Sequence, residues 1–177
     1  VLGDFQLPDK PASLAWYDLQ TGATTPVLNP PRSVRRISLS NDGKWIAFAT
    51  NQDVAGEQGG NDGPQADLWQ VSAEGGEPEK IVRFPARIHD TCWAEGDQAI
   101  YVSAELGGVH NDLWTIPLAD PVHATRKITY GQADEDRPSI SRTGDLLYVD
   151  NRHGATALVL RNRSTSREQY VQVTAQD

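Results

Sequence analysis

The 177-residue chain contains no methionine and a single cysteine, Cys92. One thiol rules out an intramolecular disulfide, so stability has to come from burial and hydrogen bonding. The lack of methionine extends to position 1, which is valine. This implies a processed or excised piece, with any signal peptide outside the sequence in view. Nowhere does an apolar run reach the roughly 18 residues that a membrane-crossing helix needs. Basic residues are scarce: 16 Lys and Arg face 24 Asp and Glu, for a net charge of −8. That balance argues against nucleic-acid binding, which needs a cationic surface to displace counterions from phosphates. Helical periodicity of useful length is missing as well.

Catalytic signatures are equally thin. A serine hydrolase places its nucleophile on a strained Gly-x-Ser-x-Gly turn, and no such pentapeptide occurs. The four histidines, His89, His110, His123 and His153, show no metal-ligand spacing of the His-Glu-x-x-His kind. The stretch 51–63 carries Asp53, Glu57, Asn61 and Asp62 but does not match a calcium loop. It reads as a solvated insertion. No catalytic residue, metal or cofactor is expected in this chain. Cys92 sits beside Trp93 in an apolar stretch without a basic neighbour, which predicts a buried and unreactive thiol.

What the chain does have is a repeat. Leu68, Leu113 and Leu158 recur at an interval of 45 residues, within Asp67-Leu68-Trp69, Asp112-Leu113-Trp114 and Ala157-Leu158-Val159. Before each lies a mostly apolar strand, Trp45–Thr50, Ile100–Ala104 and Leu146–Asp150. Before that comes a turn, Asn41-Asp42-Gly43, Glu95-Gly96-Asp97 or Thr143-Gly144-Asp145. These turn residues tolerate positive φ or cap their own backbone, and so permit tight hairpins. Further turns fall at Thr21-Gly22 and Glu74-Gly75-Gly76, between third and fourth strands. A fixed period of about 40–50 residues with four strands each is the signature of β-propeller blades.

The fold class is therefore all-β: part of a β-propeller, with about three and three-quarter four-stranded blades. The units run approximately 1–36 (partial), 37–90, 91–137 and 138–177, as one propeller segment. In the partial unit, Gly3–Leu7, Ser13–Asp18 and Thr24–Leu28 supply the second to fourth strands, and the first is missing. A six-blade ring needs roughly 270–300 residues, so the segment reads as part of a larger propeller. A four-blade ring closed by the N-terminal strands is the alternative. Trp45, Trp69, Trp93 and Trp114 lie in strands and are expected to pack between blades.

Residues Ser40–Phe48 read Ser-Asn-Asp-Gly-Lys-Trp-Ile-Ala-Phe, and Asp-Leu-Trp is followed later by Lys127-Ile128-Thr129. This phrase resembles the TolB-like propeller repeat, with Asn41, Glu95 and Arg142 where that repeat usually has proline. The resemblance covers about Leu14 to Val173. Such repeats form the periplasmic TolB protein, the N-terminal propeller of prolyl-oligopeptidase-like serine peptidases, and a similar propeller on some metal-dependent hydrolases. It implies a periplasmic or secreted, non-catalytic scaffold or protein-interaction module. The alternative is an accessory propeller that gates or presents substrate to a hydrolase domain outside this chain.

One constellation follows from register. Arg35 and Arg36, His89 and Asp90, and Asp136 and Arg137 each stand at the start of a first strand, the strand that lines the channel of a propeller. They are expected at a channel mouth, where they would either bind a protein or peptide partner or pair with one another structurally. Neither nucleic-acid binding nor membrane insertion is expected. Open blade edges invite self-association.

Overall fold

The computed structural model describes residues 2–5, 13–28, 34–52, 65–107, 109–152 and 156–171. Its chain divides into two compact units, residues 1–87 and 88–177. Each unit holds two antiparallel sheets, and every sheet is a simple meander in chain order. The first unit contains a three-stranded sheet of β1 (Leu2–Phe5), β2 (Ser13–Tyr17) and β3 (Thr24–Pro26), then a four-stranded sheet of β4 (Arg35–Leu39), β5 (Trp45–Gln52), β6 (Gln65–Ser72) and β7 (Glu79–Phe84). The second unit contains β8 (Ile88–Trp93), β9 (Ala99–Ala104), β10 (Asp112–Pro117) and β11 (Arg126–Lys127), followed by β12 (Glu135–Ile140), β13 (Leu146–Asp150), β14 (Ala157–Arg161) and β15 (Glu168–Val171). Among the described residues helix is limited to a 3-10 turn at Glu95–Asp97 and the 3-10 residue Arg152.

The repeat explains the elements. In the second strands the near-continuous apolar sequence leaves no solvent face: Ile46, Ala47, Phe48 and Ala49 are fully buried, as are Ile100, Val102 and Ala104. A strand covered on both sides needs this composition. The hairpins before them turn on Gly43, Gly96 and Gly144, all at positive φ, a conformation that residues with a side chain rarely adopt. The fourth strand of the third sheet is shorter than Lys127-Ile128-Thr129 suggests. It keeps its pairing all the same, because Ile128 N–H donates to Leu113 O (2.8 Å) and the Thr129 hydroxyl accepts from Leu113 N–H (2.9 Å).

In the first unit, Leu14, Val27 and Leu28 pack with Ile46, Phe48 and Val71 into one core. Two polar links fix the sheets within it. Trp16 Nε1 donates to Ala73 O (2.7 Å), and Gly76 N–H donates to Val27 O (3.0 Å). Gly75 must be glycine at this junction: its φ is +97°, and a Cβ would lie 3.1 Å from Val27 O. In the second unit, Leu113 packs with Leu146, Tyr148 and Val159.

The tryptophans divide. Trp93 is buried, and Trp69 stacks on Phe48 with centroids 6.5 Å apart while donating from Nε1 to Thr50 Oγ1 (3.1 Å). Trp45, expected between blades, is instead 37% exposed. It opens β5 directly after the Asn41–Lys44 turn. Cys92 is half-buried, and burial pushes its thiol up to about 11, so it carries no thiolate at neutral pH.

Replacing Trp16 by Phe keeps the ring and removes the donor to Ala73 O. The expected cost is about 1 kcal/mol, read as a lower urea midpoint at unchanged slope. An unchanged midpoint would mean that apolar packing alone joins the two sheets.

Candidate functional site

Each first strand of a four-stranded sheet has a register slip near its start. The slips fall between Arg35 and Ile37, between Ile88 and Asp90, and between Asp136 and Ser139. Arg36 and Arg137 adopt φ of +53° and +55° there, a conformation costing a non-glycine residue about 1–2 kcal/mol. Bulges of this kind turn a strand and re-aim its side chains. The polar residues expected at a channel mouth are the residues at these slips.

In the second unit, β8 and β12 pack against each other and bring His89, Asp90, Asp136 and Arg137 to neighbouring bulged strands. Their environments differ. Arg137 is exposed and His89 half-buried. Asp136 is tied down: its Oδ1 accepts from Ser103 Oγ at 2.5 Å and from Asn111 Nδ2 at 3.2 Å. Asp134 accepts from Asn111 N–H (2.9 Å), and Glu135 N–H donates to Asn111 O (2.8 Å). The segment Asp134–Asp136 is thus clamped to the preceding sheet. Arg35 and Arg36 belong to the first unit, where both are exposed at the slip of β4. His153 and nearly all of the 51–63 insertion lie outside the described residues.

A second set of charged groups was not anticipated. Every four-stranded sheet buries one carboxylate at the same cross-strand pair of its second and third strands. These are Asp67 opposite Thr50, Asp112 opposite Ala104, and Asp150 opposite Ala157. In the last sheet the carboxylate has crossed from the third strand to the second, where Ala157 replaces the aspartate. Each finds a cation. Asp67 meets Lys80 and Arg83 (both 3.0 Å), Asp112 meets Lys127 (2.6 Å), and Asp150 meets Arg152 (2.7 Å). Lys80 also lies over the Trp69 ring at 4.9 Å, and Arg152 over Tyr170 at 5.7 Å. Burial raises the Asp67 carboxyl, but Arg83 and Lys80 together outweigh it and hold it below the ordinary aspartate range. The available signal was an Asp-Leu-Trp followed 13 to 16 residues later by Lys or Arg, as at Lys80, Arg83 and Lys127.

The last sheet adds a further acid. Glu135 lies directly opposite Asp150 and is buried. Burial first, then the charges of Asp112 and Asp150, push its carboxyl up, against hydrogen bonds from the Thr129 hydroxyl and Gly131 N–H. Its Oε2 has no partner, and neither do Asp112 Oδ1 and Asp150 Oδ1. No group of three His, Cys, Asp or Glu among the described residues is arranged to hold a metal.

Four-stranded meanders, glycine hairpins and repeated bulges can be compared with known proteins. No family model matches the chain. TolB from Acinetobacter baumannii superposes on 97% of the chain with a TM-score of 0.74 at 14% identity. The fold is a TolB-like β-propeller. A structure from a study of two prolyl endopeptidases matches 94% of the chain with a TM-score of 0.65 at 16% identity. In sequence, the chain is 27% identical over 103 residues, 58% of its length, to an uncharacterized peptidase, YuxL, of Bacillus subtilis. The chain spans 40% of that TolB, 27% of that endopeptidase structure and 14% of YuxL. As the resemblance of Ser40–Phe48 implied, the TolB-like blade is the repeating unit, and the endopeptidase structure shares this fold over most of the chain.

Two substitutions test the electrostatics. Asp67→Asn should cost about 1–3 kcal/mol. The stability Asp67 supplies is present above the ordinary aspartate range and is lost as pH falls through its lowered folded value. The variant should therefore show a flatter acid limb in a plot of melting temperature against pH. Glu135 has the opposite sign. Its raised folded pKa makes wild-type stability fall as pH rises from the ordinary glutamate range toward the folded value. Glu135→Gln should lose that fall and melt higher at neutral pH; an equal or lower melting temperature there would show that the carboxyl is not destabilised.

Proposed function

We propose that this chain is a non-catalytic propeller segment that serves as a scaffold and protein-interaction module of an exported bacterial protein. It would meet a protein or peptide partner at the bulged starts of its first strands. The observation that carries this reading is the division of labour among polar groups. The buried carboxylates are committed to cations within their own sheets, whereas Arg35 and Arg137 stand exposed at repeated bulges, where the backbone takes positive φ at Arg36 and Arg137. Strain retained at equivalent positions points toward use. The likeness to TolB supports export, and no helix among the described residues is long and apolar enough to cross a membrane.

A second reading is favoured by one specific observation, the similarity to a peptidase and to an endopeptidase structure of which the chain spans only a part. In it the propeller is accessory, gating or presenting substrate to a hydrolase domain elsewhere in the same polypeptide. Fold likeness does not choose between these roles.

Purified 1–177 should not hydrolyse a peptidyl p-nitroanilide or p-nitrophenyl acetate above the buffer rate. Turnover abolished by His89→Ala would overturn the non-catalytic assignment. Labelling of the full-length gene product by a fluorophosphonate, with none in 1–177, would favour the accessory role. For the binding surface, a photo-crosslinking residue at position 137 should yield partner adducts in cells, and one at Arg142, past the other end of β12, should not. Equal adducts from both positions would remove the bulged strand ends as the interface.

A further inference from the structure

The second unit contains a cleft of about 460 Å³ whose walls include Ile128, Tyr130, Glu135, Arg152, Arg161 and Glu168. Around it the charges can be paired off. Asp112 has Lys127 at 2.6 Å, Asp150 has Arg152 at 2.7 Å, and Glu168 has Arg161 at 3.3 Å. Glu135 is the carboxyl left over. It is only 2% exposed, its Oε2 has no hydrogen-bond partner, and the charges that act on it include two further carboxylates, Asp112 and Asp150, each with an unpartnered Oδ1, while the neighbouring Arg152 is paired with Asp150. A buried acceptor without a donor is a costly arrangement unless something supplies the donor.

We propose that this cleft receives the side chain of a lysine from a protein partner, its primary ammonium seated on the Glu135 carboxylate. The proposal rests on the protein-interaction reading above and names the chemistry that such a partner presents. An ammonium provides a positive charge that Glu135 has no ion pair to supply, and a donor for its unpartnered Oε2. Ile128 and the largely exposed Tyr130 ring offer cover to its aliphatic stem. An anion fits poorly, because the cations are engaged: Arg152 with Asp150, and Arg161 with both Ile128 O (2.5 Å) and Glu168. A metal ion fits poorly too, because the described residues contain no cluster arranged for one. Glu135 is also held in place for the task. Gly131 leaves room for the carboxyl, where a Cβ would collide with Oε1, and hydrogen bonding by Thr129 and Gly131 favours its charged form.

The test is titration of isotope-labelled 1–177 with N-acetyl-lysine methylamide, followed by amide chemical shifts. Saturable shifts centred on Thr129, Gly131 and Glu135 are expected, with none from the norleucine analogue, which has the same stem and no charge. Glu135→Gln, nearly isosteric, should weaken binding by roughly tenfold or more. Gly131→Ala should weaken it as well, by displacing the carboxyl while keeping its charge. Absence of saturable shifts, equal shifts from norleucine, or full binding by Glu135→Gln would overturn the site. Failure here with no hydrolytic turnover removes the lysine pocket alone. Turnover by 1–177 removes the interaction reading and leaves the pocket to stand on its own titration.

Discussion

A carboxylate buried between the second and third strands, neutralised by a cation of its own sheet, is the constraint around which each four-stranded sheet is built. Leaving such a charge alone in a low-dielectric interior costs several kcal/mol, on the order of the stability of a whole domain. Each sheet must therefore deliver a cation to a fixed point, and in the second and third sheets the outer strand does so within its own local register. Arg83 pairs directly across from Asp67, and Lys127 pairs with Trp114, two residues along from Asp112. The Lys80 ammonium also lies over the Trp69 ring, which in turn stacks on Phe48 in the first unit's core. One ion pair thus joins the solvated edge of the sheet to its driest strand.

The same view shows why the third copy drifted in sequence without losing its sheet. Ala157 removes the aspartate from the third strand, but Asp150, its cross-strand neighbour, carries the charge instead. Opposed side chains of an antiparallel pair lie only about 5 Å apart, so the carboxylate has stayed in place while its residue changed. The cation changed with it: Arg152 follows two residues after Asp150, and Tyr170 on β15 adds a hydroxyl donor at 3.3 Å. What is retained is a position in the sheet, and residue identity is free to move around it.

Much of the architecture was legible because its signals are local. Glycine at Gly43, Gly96 and Gly144, and second strands that are apolar on both faces, each report on a few adjacent residues, and the 45-residue interval multiplies them. The missed features depend on residues far apart in sequence. Aspartate is ordinarily a surface residue, and the burial of Asp67 makes sense only once Lys80 and Arg83 return beside it. Asp136 was placed at a strand start by register, but its ties to Ser103 and Asn111 run between sheets, and no within-repeat alignment reveals them. Trp45 differs for the converse reason. A tryptophan at a strand's first position follows the strand pattern yet adjoins the turn, and there it stays partly exposed.

The displaced carboxylate also accounts for the unusual charge of the last sheet. In the third sheet the corresponding line of cross-strand partners is Ile88, Ala104 and Asp112, one acid with an apolar residue on the first strand. In the last sheet it is Glu135, Asp150 and Ala157, two acids side by side. Like charges directly opposed are unfavourable, and moving the aspartate to the second strand brought it next to the one first strand that begins with glutamate. Asp150 took the available cation, and Glu135 was left to be neutralised by a proton or by a guest. An isoleucine at this position, as in the preceding sheet, would relieve the conflict, and the Asp134–Asp136 clamp would not suffer, since it uses the backbone of residue 135 and the side chains on either side of it. Packing alone therefore gives no reason for a carboxyl here, which directs attention to what the carboxyl can hold.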